Sequence, residues 1–464
     1  MTTTQSSPIV SLQEPKDVSI EEIEAELHQL WQNYSSSEEG LTASRATTFS
    51  IVVYEPDATQ QLLAALGFYE SSVDGIAGSQ TTAAIKAAQK GYGLSVTGKP
   101  EPELLSKLRE EYTQAKQNDS TEESTTAAPQ SSPDLESSGV TNAIAASNPC
   151  RIITLCPTLG EDEGVEAQVS AYCPIDQQSQ NTTLVCCEYI TLRGTAAALE
   201  RIRGMISTLR LNELPKFVWW RATPQPEYAL FQRLAANSEL VMIDSSTFNN
   251  PEVDLLRAGD LIEQGMPLAD LNWRRLSAWQ ELAAEAFDPP ERRSALGELD
   301  RVTIDYEKGN QAQALMYLGW LASRLQWRPV SYQIEGGDYE IRKIKFSAEN
   351  QRSIEAELAA IPIADQGEIS GDLISLRLSS TNLEADCCTV LCSETTGCMR
   401  MEAGGGAQSC RIEQVTPLFD QKTEKLLAQQ LQRQTREVLY EESMSVTHEI
   451  VQLANSEWLM AINN

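Results

Sequence analysis

Histidine is almost missing: the 464 residues include two, His28 and His448, near opposite ends of the chain. As histidine is the commonest general base and a favoured metal ligand, its scarcity removes many catalytic plans and weakens an enzyme reading without excluding it. Carboxylate and cysteine chemistry remain. Basic residues are short as well, 36 Lys and Arg against 66 Asp and Glu, for a formal charge of −30. Nucleic acids and anionic lipids are bound mainly through Lys and Arg, so neither is expected as a partner. No apolar run approaches the ~18 residues a membrane helix needs. The opening MTTTQSSPIVSLQEPKD lacks the basic region and apolar core of an export signal. The expected location is the cytoplasm, where the ten cysteines would be mostly thiols and any disulfide regulatory.

Chemical fingerprints are missing too. There is no GxGxxG for a dinucleotide. Gly93-x4-Gly98-Lys99 comes close to a phosphate loop, but Pro100 stands where Ser or Thr would bind magnesium, and a helix precedes it instead of a strand. It reads as a turn. Cys387, Cys388, Cys392, Cys398 and Cys410 gather closely but lack the paired CxxC knuckles of a zinc site. Neither a metal nor another cofactor is expected.

What is present is strong patterning in blocks. Residues 1–17 read as disordered. In residues 18–55, Ser19 and Glu22 form a capping box ahead of Ile20, Ile23, Leu27, Leu30 and Trp31 at helical spacing. Thr47–Tyr54 then reads as a strand closed by Pro56. Residues 57–112 hold three short helices and two glycine turns, Val73–Gly78 and Gly93–Gly98, as a small repeat. Residues 113–147 have no aromatic and read as a disordered linker. From 148 to 290, strands such as Arg151–Cys156, Thr183–Thr191, Phe217–Trp220 and Leu240–Ile243 alternate with helices, which argues for a parallel sheet. Residues 291–464 mix helices with shorter strands. The expected fold class is α/β plus α+β: a parallel-rich α/β sheet domain, then an α+β half, with an inserted three-helix module.

Trp219-Trp220-Arg221 ends a strand, where ligands of open α/β sheets gather, and Trp and Arg are enriched in interface hot spots. Together with Trp273 and Arg275 they are the candidate partner-binding residues, with core packing as the competing reading for each Trp. Cys392 and Cys398 flank the turn-like Ser-Glu-Thr-Thr-Gly397, so a hairpin reversal could bring them together as a redox switch. Cys150 and Cys156 lie along one strand, too far apart to bond. The vicinal pairs Cys186/Cys187 and Cys387/Cys388 read as packing residues. A rival reading gives the strand ends Asp244, Ser245, Ser246 and Arg221 to an enzyme of a sugar phosphate or nucleotide. A second rival makes the three-helix module the sole specific binder.

Several segments, in order and spacing, resemble the glucose-6-phosphate dehydrogenase assembly protein family OpcA: Pro149–Leu155, Glu188–Leu192, Leu214–Trp220, Ile243–Ser246, Asp270–Leu276, Trp279 and Ala286–Asp288. The resemblance covers about residues 18–55 and 148–462. Residues 57–112, with Asp74-Gly75-Ile-Ala-Gly78-Ser-Gln-Thr81 before an Ala-rich helix, resemble a peptidoglycan-binding-like module. The resemblance implies that this module and its linker are an insertion, as in cyanobacterial members, and that Thr47–Tyr54 shares a sheet with Arg151–Cys156. It also implies a non-catalytic allosteric activator that binds glucose-6-phosphate dehydrogenase and favours its active oligomer. Thioredoxin-linked control is implied as well and fits Cys392 and Cys398. No catalytic residue is carried over.

Overall fold

The computed structural model describes residues 9–35, 42–45, 48–119, 144, 149–174, 183–211, 213–309, 311–336, 339–362, 372–382, 385–393, 398–405, 412–417, 422–433 and 436–462. Its first part runs β1 (Ile9–Val18), α1 (Ile23–Ser35), β2 (Thr42–Arg45), β3 (Ser50–Tyr54), α2 (Ala58–Ala65), α3 (Ser79–Gly91), α4 (Pro102–Asp119), β4 (Arg151–Thr158), β5 (Val165–Pro174) and β6 (Thr183–Thr195). It continues through α5 (Ala196–Arg201), α6 (Arg203–Leu209), β7 (Lys216–Trp220), α7 (Ala229–Ala235), β8 (Leu240–Ile243), α8 (Pro251–Glu263) and β9 (Leu268–Asp270).

These strands form one sheet in the order β1-β5-β6-β4-β3-β7-β8-β9, with β2 paired to β6. The run from β6 to β9 is parallel. Counted along the chain, those six strands lie in the order 3-2-1-4-5-6, the doubly wound arrangement of dinucleotide-binding folds. The fold class is α/β, as the alternation predicts. Strands β3 and β4 are parallel neighbours, Ser50 opposite Arg151 and Tyr54 opposite Leu155. Residues 57–147 are therefore the crossover between them, and any deletion must leave a connection of roughly a dozen residues to return along the sheet.

One expectation fails at the N-terminus. Residues 1–17 read as disordered, yet β1 pairs antiparallel with β5 from Ile9 to Val18. It is an edge strand with Glu14, Lys16 and Asp17 in solvent. Such a strand needs only backbone partners, and its polar side chains hide it from hydropathy.

The second part contains α9 (Leu271–Arg275), α10 (Ser277–Phe287), α11 (Pro290–Leu296), β10 (Arg301–Glu307), α12 (Ala312–Leu325), β11 (Arg328–Glu335), β12 (Glu340–Ser347), β13 (Ser353–Ile361), β14 (Leu373–Ser379), β15 (Asp386–Ser393), β16 (Cys398–Gly405) and β17 (Ile412–Pro417). Helices α13 (Thr423–Arg433) and α14 (Val438–Ile462) follow. The eight strands form a second sheet, order β11-β12-β13-β10-β14-β15-β16-β17, antiparallel except for β10 with β13.

One core joins the two parts. Val52, Trp220 and Val241 of the first sheet belong to the same buried cluster as Ile304, Leu376 and Val390 of the second. Full burial of each such side chain stabilises by roughly 1.5–3 kcal/mol. Leu426, Leu427 and Leu431 of α13 return to cover the other face of the parallel sheet, against Phe49, Ile51, Val53 and Trp219. Residue 290 is thus no boundary in packing terms.

Candidate functional site

In a doubly wound sheet the ligand crevice opens where the strand order reverses, here between the C-terminal ends of β3 and β7. The crevice is filled. Tyr54 stacks on Trp220 at 3.7 Å between ring centroids, and Tyr228 and Phe231 close on the same indole edge-on. Above them Arg221 Nη1 pairs with Glu55, and the Arg221 amide donates to the Tyr54 carbonyl across the gap. The first helix after the first strand, α2, would offer its N-terminal amides to a pyrophosphate. Asp57 occupies that place as the cap, its carboxylate accepting from the Thr59 amide at 2.8 Å. A phosphate would meet both a filled donor and a negative charge.

The three-helix module seals the crevice from outside. Tyr54 Oη donates to the Asp74 carbonyl (3.1 Å), and the Thr223 amide donates to the Val73 carbonyl (2.8 Å). Ser72 Oγ donates to Asp254 Oδ1 (2.6 Å), and Arg257 donates to both. Burial raises the Asp254 pKa, opposed by the Ser72 hydrogen bond and the Arg257 charge. Gly75, at φ +78°, fits where a Cβ would lie 2.8 Å from Pro56 Cβ and 2.9 Å from Tyr54 Oη. Gly75→Val should cost about 3 kcal/mol, combining left-handed strain with overpacking. Thermal unfolding and earlier proteolysis within residues 57–112 would report it, and an unchanged melt would contradict this docking.

Within the module the predicted repeat has a shared device. Gln60 accepts from the Gly75 amide and donates to the Ile76 carbonyl. Gln89 likewise accepts from the Thr97 and Gly98 amides and donates to the Lys99 carbonyl. The Thr97 and Gly98 amides of the loop that resembles a phosphate site are therefore already engaged.

The polar residues that the enzyme reading needs are consumed as well. Asp244, at the end of β8, takes a two-point ion pair from Arg275 at 2.7 and 2.9 Å. Burial works against its charge, but the guanidinium outweighs burial and holds the carboxyl below its ordinary range. Asp270, at the end of β9, accepts from the Ser245 and Asn272 amides, while its Oδ2 is buried with no hydrogen bond. Burial first, then the Asp244 charge, push Asp270 up to about 7. Asn272 and Gln313 extend this network to Asp372 of the second part. It fastens the two sheets together.

Of the predicted partner-binding residues, Trp219, Trp220, Trp273 and Arg275 are at most 4% exposed. Alternation sends Trp219 and Trp220 to opposite faces, and both faces are covered. Trp273 packs against Tyr440. These four are core, which corrects their assignment to a contact surface. Arg221 alone reaches solvent, its guanidinium 4.9 Å from the Trp219 ring centroid.

Cys392 and Cys398 lie on the paired strands β15 and β16, but Cys392 opposes Met399 and Cys398 opposes Ser393. Opposed residues share a face, so the stagger turns the two thiols to opposite sides of the sheet. Residues 394–397 and Cys410 lie outside the described residues. A bond that the sequence did not suggest joins Cys173 of β5 to Cys186 of β6. It sits in a small cluster with Ala43, beneath Trp31 and Tyr34 of α1. Cys186 was read as packing only, because β5 escaped detection and with it the partner. Cys187 points the other way and is hydrogen-bonded to Cys150, whose thiol burial pushes up.

The histidines do not meet. His28 contacts Gln32 on α1, and His448 on α14 contacts Asp260. Among the described residues no helix is long and apolar enough to cross a membrane.

Comparison with known proteins finds three matching domains. The glucose-6-phosphate dehydrogenase subunit N-terminal domain of the OpcA type matches residues 141–260, and the corresponding C-terminal domain matches 266–444. A putative peptidoglycan binding domain matches 55–108. The putative OxPP cycle protein OpcA of Synechocystis sp. (strain PCC 6803) is 61% identical over 459 residues, 98% of this chain and 96% of that protein. Its counterpart in Nostoc punctiforme is 60% identical over 97% of each chain, and that of Synechococcus elongatus 54% over 96% of this chain and 97% of the other. Among solved structures, a levoglucosan dehydrogenase bound to NADH and L-sorbose reaches a TM-score of 0.39 at 8% identity, over 70% of this chain and 95% of that one, too slight a likeness to bear on function. Matched by two domains of one family and by relatives along nearly its whole length, the chain belongs to the OpcA family.

Proposed function

We propose that the chain is a non-catalytic assembly factor that binds glucose-6-phosphate dehydrogenase and favours its active oligomer. The observation that carries this reading is the filled crevice: Tyr54 on Trp220, with Asp57 on the helix N-terminus, in a chain whose relatives carry the OpcA name. A dinucleotide-type sheet without room for a dinucleotide has its surface left to work with. Activation then means binding the active oligomer more tightly than the inactive forms. A tenfold preference needs only about 1.4 kcal/mol of coupling.

Thiol control by thioredoxin is assigned to Cys392 and Cys398. In the reducing direction, a protein dithiol of the thioredoxin type passes two electrons and two protons to the Cys392–Cys398 disulfide and becomes a disulfide itself. Because the thiols are staggered by one residue, forming that bond shifts the hairpin end by one position and turns one strand's side chains over. The switch thus acts by reshaping a sheet end.

The test measures dehydrogenase velocity with and without the chain, each under oxidised and reduced conditions. Velocity should rise by about tenfold in one thiol state. Cys392→Ser should abolish the difference between states while the circular dichroism stays unchanged. Persistent redox sensitivity in that variant would reject the pair and direct attention to Cys173–Cys186.

A further inference from the structure

The second sheet has one face packed on the core and one face that no described element covers. Inward, Ile304, Leu376, Val390 and Met401 stand in a single row and are fully buried. Helices pack on this side: Ala283 and Phe287 of α10 share a cluster with Cys388, Met399 and Met401. The adjacent outward row crosses all eight strands, from Glu335 through Asp305 and Ser375 to Leu391, Arg400 and Val415. Leu391 is 46% exposed and Val415 64%, although each is flanked by paired strands or a sheet edge.

The charge on this face differs from that of the whole chain. The protein carries −30, yet here acidic and basic side chains alternate and pair: Lys343 with Glu335, Lys345 with Glu355 and Arg400 with Glu413 across strands, and Arg400 with Glu402 along its own strand. A second copy approaching any acidic surface of this chain meets like charge, which destabilises contact. On this face each sign can find its opposite, so the surface can match itself about a two-fold axis. Its size also suffices. Eight strands spaced ~4.8 Å apart and ~20 Å long present on the order of 800 Å², the contribution of one partner to a stable interface.

We infer that the open face of the eight-stranded sheet is an isologous homodimer interface, with Leu391 and Val415 as its apolar anchors and the Arg400 cluster as its polar frame. The inference concerns the chain alone and does not depend on its binding a dehydrogenase.

Sedimentation velocity of the full chain at micromolar concentration should show a dimer of twice 51.2 kDa. Leu391→Asp combined with Val415→Asp should weaken self-association by roughly a hundredfold or more, since each change places a charge in the contact centre. Both side chains are exposed, so melting temperature should be unaffected, and Arg400→Glu serves as a second variant that removes no apolar packing. A monomeric wild-type chain would overturn the inference, as would dimers that persist in both variants. Were the wild type monomeric and the double variant deficient in binding the dehydrogenase, the face would belong to that partner and the homodimer would be rejected.

Discussion

Gly319→Val should lower the stability of the chain by about 3 kcal/mol or more, read as an earlier midpoint in chemical denaturation. Gly319 lies on α12 where α14 crosses it. A Cβ there would land on Thr447 Oγ1 and lie 2.7 Å from the Ser443 carbonyl oxygen. The second contact is backbone, so it cannot be relieved by a side-chain rotation. Helix α14 is also held close to α8, where a Cβ on Gly259 would come within 2.7 Å of His448. The two glycines let α14 sink between α8 and α12, where Tyr440, Met444, Ile450 and Val451 are fully buried. Adding Thr447→Ala to Gly319→Ala should recover part of the loss, since one of the two obstacles disappears. No loss in Gly319→Val would mean that α14 is not seated in this groove.

The second large effect depends on pH. With its carboxyl pushed up to about 7, Asp270 in the folded chain holds a proton that the unfolded chain releases near pH 4. This group's contribution to stability is therefore best at low pH, declines as pH rises from about 4 to about 7, and is constant above that. The decline amounts to about 4 kcal/mol. Asp270→Asn carries no charge at any pH and keeps the oxygen that accepts from the Ser245 and Asn272 amides. It should gain about 2–4 kcal/mol over the wild type at about pH 8 and nothing at about pH 4. Urea denaturation at the two pH values measures the difference. Destabilisation at pH 8 would show that the Asp270 charge is used in the folded chain.

Much of this architecture was legible in the sequence because local rules and tertiary packing agree there. Arg151–Thr158, Lys216–Trp220 and Leu240–Ile243 are short, largely apolar runs, the last two between helices, and they are the parallel strands β4, β7 and β8. The module's two turns were visible from their glycines, which sit at positive φ as Gly75 and Gly98. What was hidden depends on partners distant in the chain. Edge strand β1 has only the short apolar start Ile9-Val10-Ser11-Leu12 before the polar run Gln13–Asp17, and without β5 in view the Cys173–Cys186 pairing has no partner strand to suggest it. The tryptophans misled for a different reason. Alternation does put Trp219 and Trp220 on opposite faces, but only the return of α13 after some two hundred residues covers the Trp219 face. Similarly, Cys392 and Cys398 were correctly placed on a hairpin, while its register, which decides whether the thiols share a face, is set by pairing along all of β15 and β16.

The filled switch point fits a sheet of the dinucleotide-binding order to the non-catalytic role proposed above. Space for a cofactor has been replaced by aromatic stacking and by a domain docked through Gly75, Ser72 and Asp254. On the proposed reading, what the molecule offers to others is surface. The direct test is to mix the full chain with purified glucose-6-phosphate dehydrogenase, oxidised and reduced, and follow the enzyme's oligomers by sedimentation. A co-sedimenting complex with the enzyme moved to its larger, active form is the expected result. Enzyme that sediments unchanged and alone in both thiol states would contradict it.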